Sequence, residues 1–238
     1  MKKTYKGFDK EMKCRGYQFV IGNQYKHEGT VELCAKGFHA CKIPMDVWSF
    51  YPINTSIYAE VEQSGDVKND EQKTVSSVIK INATISISDM VKASVEFIKQ
   101  NSKGSLNNHG HSAAQGDHGH SAAQGNEGHS AAQGWRGHSA AQGDHGHSAA
   151  QGNEGHSAAQ GRYGHSAAQG ERSVAVATNF GGRVKGKEGA VLILVQFEDD
   201  EITPISAVSE TVGKNKIKPD TWYTLCKKGK FQEVKSGN

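Results

Sequence analysis

Seven copies of Gly-His-Ser-Ala-Ala-Gln-Gly, beginning at Gly110, Gly119, Gly128, Gly137, Gly146, Gly155 and Gly164, recur at a strict nine-residue spacing. A fixed short period means that every unit does the same structural job and buries its inner face only against its neighbours. Ala and Gln favour a helix, but two glycines per unit would break one every nine residues. A five-residue strand closed by a Gly-x-x-Gly turn fits instead. Side chains alternate along a strand, which separates His111, Ala113 and Gln115 from Ser112 and Ala114. The bulkier polar set is expected outside and the Ser/Ala set inside. The imperfect unit Ser173-Val174-Ala175-Val176-Ala177 keeps that phase, with Ala175 and Ala177 at inward positions.

Such an interior is thin. An alanine methyl contributes about 1 kcal/mol on burial, against roughly 1–2 kcal/mol of backbone entropy per ordered residue. Stacked coils that pair every backbone group must supply the rest, and both ends need caps. The competing reading is a disordered Gly/Ser/Ala/Gln/His linker, but a linker has no reason to keep seven units in strict phase. Between units only two positions vary: Asp117-His118, Asn126-Glu127, Trp135-Arg136, Asp144-His145, Asn153-Glu154 and Arg162-Tyr163. Their order gives a 27-residue super-period, which suits three units per coil but follows equally from block duplication or deliberate idealisation. Two units per coil would make a flat, two-sided roll.

The flanks carry the apolar mass that the array lacks. Ile57, Ala59 and Val61 alternate with Tyr58, Glu60 and Glu62 as a half-buried strand, and a second strand is expected from Ile79 to Ile87. Ser88 then reads as the N-cap of a helix over 89–100, with Met90, Val91, Ser94, Val95 and Ile98 on one face. Pro44 opens a short helix that Pro52 ends. Downstream, strands are expected at 191–195, 204–208, 222–225 and 231–234. The fold expected is therefore mainly β: an α+β cap at 1–104, a nonapeptide β-solenoid (β-roll or β-helix) at 105–182 and a β cap at 183–238.

Charge excludes some function classes. Residues 1–104 hold 15 Lys/Arg and 12 Asp/Glu, residues 105–170 two and four, and residues 171–238 11 and nine. No segment has the basic excess that nucleic-acid binding relies on. No apolar run reaches the ~20 residues of a membrane span, and no secretory signal is expected at the start. Cys14, Cys34, Cys41 and Cys226 follow no disulfide framework and are expected as free thiols.

Three kinds of site are open. Cys14, His27, Cys34, His39 and Cys41 are zinc-competent and close in sequence, although the seven-residue Cys34–Cys41 spacing is unlike zinc ribbons, and the plain alternative is a set of small core residues. The outward series His111, His120, His129, His138, His147, His156 and His165, with Gln115, Gln124, Gln133, Gln142, Gln151 and Gln160, is expected to form ladders about 4.8 Å apart. These would bind a partner, chelate a soft divalent metal or take up protons together, or simply keep the surface solvated. Ice binding is disfavoured, since there are no Thr rows. An enzyme would have to use residues 1–104.

Several stretches resemble known proteins. The small-residue units look like repeats in the β-roll heads of trimeric autotransporter adhesins, whose period is longer, and like those of some phage tail proteins. Tyr5-Lys6-Gly7-Phe8, Cys34-Ala35-Lys36-Gly37-Phe38-His39-Ala40-Cys41 and Ala59-Glu60-Val61-Glu62, with a tail Ile217-Lys218-Pro219-Asp220-Thr221-Trp222-Tyr223-Thr224-Leu225, resemble an uncharacterised phage and prophage family. Tyr5, Gly7, the Gly37-Phe38-His39 turn, Glu60 and Glu62 also resemble, loosely, ADP-ribosyltransferase-like folds, with Tyr5 where a basic residue or histidine is required. The resemblance to the phage and prophage family implies a phage setting and no established activity; with the repeat, the protein expected is a phage-encoded, non-enzymatic binding or structural protein without a cofactor. Its place would be the virion or the host cytoplasm, and its partner another copy, a host or phage protein, or a small ligand of a host defence pathway. An enzymatic N-terminal domain and a metal-binding ladder stand as alternatives.

Overall fold

A computed structural model describes residues 2–53, 55–70, 73–101, 111–198 and 203–235; Gly110 and the expected 104/105 boundary lie outside the described residues. The protein is mainly β, with a solenoid at its centre. It divides into two compact units, Met1–Ser94 and Val95–Asn238.

The first unit is built from β1 (Lys2–Asp9), β2 (Lys13–Cys14), β3 (Tyr17–Gln18), β4 (Gln24–Lys26), β5 (Phe38–Cys41), β6 (Ser56–Asn69) and β7 (Lys73–Thr84). β1 pairs with both β5 and β6, and β7 pairs with both β5 and β6, so four antiparallel strands close a ring. β4 pairs with Val78–Lys80 of β7, next to the Lys73–Ser76 stretch that pairs with β5. Inside lie Phe8, Phe19, Ala40, Ala59, Val61, Ile79 and Ile81. A 3-10 turn at Pro44–Ser49 follows β5, started by the proline.

Helix α1 spans Ile87–Asn101. Its cap is Ser86, not the expected Ser88. Ser86 Oγ accepts the Asp89 N–H at 3.1 Å and donates to the Asp89 carboxylate at 2.7 Å, a reciprocal cap that moves the helix start two residues upstream and stops β7 at Thr84. The expected face is the buried one: Met90, Val91, Ser94, Val95 and Ile98 are 0–2% exposed.

The second unit holds the array. Strands β8 (His111–Gln115), β9 (His120–Gln124), β10 (His129–Gln133), β11 (His138–Gln142), β12 (His147–Gln151), β13 (His156–Gln160) and β14 (His165–Gln169) alternate between two parallel sheets. β15 (Val174–Ala177), β16 (Arg183–Gly186) and β17 (Val191–Phe197) continue them. Each repeat strand pairs with the one 18 residues on, His129 with His147 and His138 with His156. The coil therefore holds two units and is flat. The 27-residue super-period is one and a half coils, so successive blocks fall on opposite edges.

Small inward residues decide this geometry. A three-sided coil encloses a prism that Ser and Ala cannot fill, whereas two sheets can close until the side chains touch. Inward serines of the two sheets meet in one zigzag: Ser121, Ser130, Ser139, Ser148, Ser157 and Ser166 each donate to the serine nine residues earlier, starting from Ser112, at 2.8–3.0 Å. This chain of buried hydroxyls adds directional bonds to a core with little apolar area.

The turns explain the glycines. The first glycine of each turn has φ between +104° and +142° from Gly116 to Gly161, and a β-carbon on Gly143 would fall on the Gly125 carbonyl oxygen of the previous coil. Asp117, Asp144 and Asn153 accept the N–H of Trp135, Arg162 and Glu171, one coil on, at 3.2, 3.0 and 3.1 Å. On one edge Glu154 is held between Arg136 and Arg172.

The C-terminal end closes on larger residues. β18 (Pro204–Thr211) runs antiparallel on β17, and β19 (Tyr223–Leu225) with β20 (Phe231–Glu233) does so on β16. Ala175 and Ala177 face inward as expected, among Val184, Leu192, Leu194, Val212, Ile217 and Tyr223. Strands β16 to β20, in the segment expected as a β cap, continue the two solenoid sheets.

Candidate functional site: a basic pocket around Lys6

β1 carries Tyr5-Lys6-Gly7-Phe8, and the residue that sequence reasoning passed over is Lys6. Its side chain is buried, with Lys6 5% exposed overall. Nζ donates to the His39 carbonyl at 3.1 Å and lies 3.3 Å from the Tyr51 hydroxyl and 3.4 Å from Cys14 Sγ. Cys14 Sγ and the Tyr51 hydroxyl are themselves 3.1 Å apart. The rings of Phe8, Tyr51 and Phe19 surround Nζ at 5.5–6.0 Å. Gly7 makes this possible, because a β-carbon there would overlap the Tyr51 ring. Burial lowers the Lys6 pKa, with Cys14 partly opposing the shift, and raises that of Tyr51, reinforced by its bond to Cys14.

Lys6 lines a cavity of about 1050 Å³. Its charged walls hold five basic residues, Lys6, Lys13, Arg15, Lys26 and Lys73, and two acidic ones, Asp9 and Glu28. Tyr17, Phe19, Phe38, Phe50 and Tyr51 supply flat apolar surface. Glu60 and Glu62 are not among the lining residues. Glu60 pairs with Lys3 at 2.6 Å, and Glu62 accepts from Asn82 at 3.2 Å. The cavity has shape, a basic excess and one amine kept from water.

The zinc-competent set does not converge: Cys14, His27, Cys34, His39 and Cys41 bring no three ligand atoms together. Each has a local role or position instead. His39 Nε2 accepts the Cys34 N–H at 2.8 Å, which folds the loop ahead of β5, and Gly37 at φ +101° makes the turn. Cys41 is buried and its thiol pushed up by desolvation. Cys14 contacts Lys6, and His27 packs edge-on to Phe38.

The histidine ladders exist, but only one is outward. In the sheet of β8, β10, β12 and β14, His111, His129, His147 and His165 follow one another with ring centroids 4.5–5.0 Å apart, and the side-chain amides of Gln115 and Gln133 donate hydrogen bonds to those of Gln133 and Gln151. There Ala113 and Ala131 are exposed while Ser112 and Ser130 are buried, the expected phase. In the other sheet the expectation of an open surface fails. His138 and His156 are 3% and 0% exposed, and Ala140 and Ala158 are buried with them. The end of α1 reaches this sheet, with the Phe97 ring 5.8 Å from His120 and Lys99 Nζ 3.3 Å from Gln142 Oε1. Gln124 and Gln160 on this sheet are only half-buried. Desolvation depresses the pKa of His120, His138, His147, His156 and His165, with neighbouring histidines a secondary cause for all but His156; His156 and His165 are lowered to about 4.

Fold and site together define a β-solenoid protein preceded by a small domain with a basic pocket. Residues 2–93, the part holding that pocket, match the model of a Domain of unknown function (DUF7666). No curated protein and no solved structure matches the chain.

Proposed function

We propose that residues 1–94 form a non-catalytic binding domain for a small organic anion with a flat ring, and that the solenoid is the rigid element displaying it. The carrying observation is the cavity of about 1050 Å³ with five basic residues against two acidic ones and aromatic walls. Cations select a phosphate or carboxylate, and ring faces accept a planar group. The exposed His/Ala/Gln face of β8, β10 and β12 is regular and flat, suited to a repetitive contact with another copy or with a host or phage protein. A phage or prophage setting, in the virion or inside the host, fits a binder that withholds a small ligand.

Calorimetric titration of the full chain with AMP, ribose 5-phosphate and inorganic phosphate tests the reading. AMP should bind best, and Lys13→Glu or Lys73→Glu should each weaken it roughly tenfold, about 1.4 kcal/mol. Absence of binding by all three anions, or binding untouched by both charge reversals, would refute it.

A further inference from the structure

Lys6 Nζ and Cys14 Sγ, an amine and a thiol, lie 3.4 Å apart inside the first unit. We propose that these two atoms form a reversible nitrogen–sulfur cross-link, a sulfenamide, when a peroxide oxidises Cys14. Reacting atoms about 3–3.5 Å apart are already at attack distance. Both residues line the cavity, so a small neutral peroxide reaches the sulfur, and Cys14 is only half-buried. The polar neighbours of Nζ are a carbonyl, a phenol and the thiol. None is a carboxylate that would hold the amine as ammonium, and burial acts in the same direction.

The chemistry needs one equivalent of oxidant. Cys14 sulfur takes an oxygen from the peroxide: an S–O bond forms, the O–O bond breaks and the rest of the peroxide leaves as water or alcohol. Sulfenic acids condense with a nearby nitrogen in this way when no second thiol intervenes. The Lys6 lone pair then attacks Sγ, the N–S bond forms, the S–O bond breaks, and hydroxide leaves with an amine proton as water. The Tyr51 hydroxyl, 3.1 Å from Sγ, is placed to donate to the departing oxygen. An added thiol attacks Sγ and returns the amine, and a second thiol frees Cys14 from the mixed disulfide. The link joins β1 to β2 across a short connection, so little chain entropy opposes it. It also removes the buried amine from the pocket while it lasts.

The test uses the full-length protein treated with hydrogen peroxide, alkylated with iodoacetamide, digested and analysed by tandem mass spectrometry. The expected product is the Lys6 peptide joined to the Cys14 peptide, lighter than their sum by two hydrogens. Fragment ions should place the link on Lys6, and dithiothreitol should abolish it. Cys14→Ser should lose it while Cys34, exposed, still oxidises as in the parent. A link mapped to Lys13, or Cys14 converted only to sulfinic acid or a disulfide, overturns the proposal. So does Cys14 left unchanged by a peroxide dose that fully oxidises Cys34.

Discussion

Acidification should unfold the solenoid through its buried histidines. His156 is 0% exposed and its pKa is held at about 4, against 6.5 in an open chain. Because the folded value is the lower one, the unfolded chain binds more protons between these values. Stability is complete above about pH 6.5 and falls as pH drops toward 4. By linkage His156 alone costs about 2 kcal/mol at pH 5. His165 is also lowered to about 4 but is half-buried, so solvent screening reduces its share to about 1 kcal/mol. A total near 3 kcal/mol is roughly 6–12 °C in Tm for a unit of this size. The assay is thermal unfolding between pH 7.5 and 5, followed by amide exchange in β11 and β13. The leading cause of each histidine shift is desolvation; other rings of the ladder are secondary for His138 and His165 and contribute nothing at His156. Roughly 0.5 M salt should therefore restore little, whereas loss by ladder repulsion would be largely screened. An unchanged Tm across this range, or full rescue by salt, would refute the assignment of the pH dependence to burial.

Two further measurements test coil geometry. Gly143→Ala should cost about 3–5 kcal/mol in urea unfolding, from left-handed strain plus a β-carbon on the Gly125 carbonyl; Gly116→Ala, with open space around it, should cost only about 1–2 kcal/mol. Equal losses would mean that coil stacking is not what requires glycine. Inward Ala132→Leu should overpack the Ser/Ala interior by about 1–3 kcal/mol, while exposed Ala131→Leu stays near neutral by the same unfolding assay. The matched contrast at Ala140 and Ala141 should vanish, since both are buried.

Much of the second unit is written locally. Glycine spacing set the strand length, and alternation set which face of each strand is inward, because both follow from backbone sterics within nine residues. Ser130 and Ala132 are inside and Ala175 and Ala177 begin the apolar end for that reason. In the first unit the cores of β6 and β7 and the buried face of α1 were legible on the same grounds, whereas β1 to β5 were not. The start of α1 was not, since Ser86 and Ser88 offer equivalent caps until Asp89 turns back on one of them.

Tertiary structure decided the rest. Whether a coil takes two units or three depends on how far two sheets can close, which a nine-residue window does not contain. His138 and His156 are buried while His129 is exposed, and identical repeats give no sign of which rungs are covered. Nothing in the sequence pattern singled out Lys6. Its amine is enclosed only because Gly7 admits the Tyr51 ring, and because β2 and β5 bring Cys14 and the His39 carbonyl to it from 8 and 33 residues away. Periodicity is a property of neighbours along the chain, whereas a pocket is made by neighbours in space.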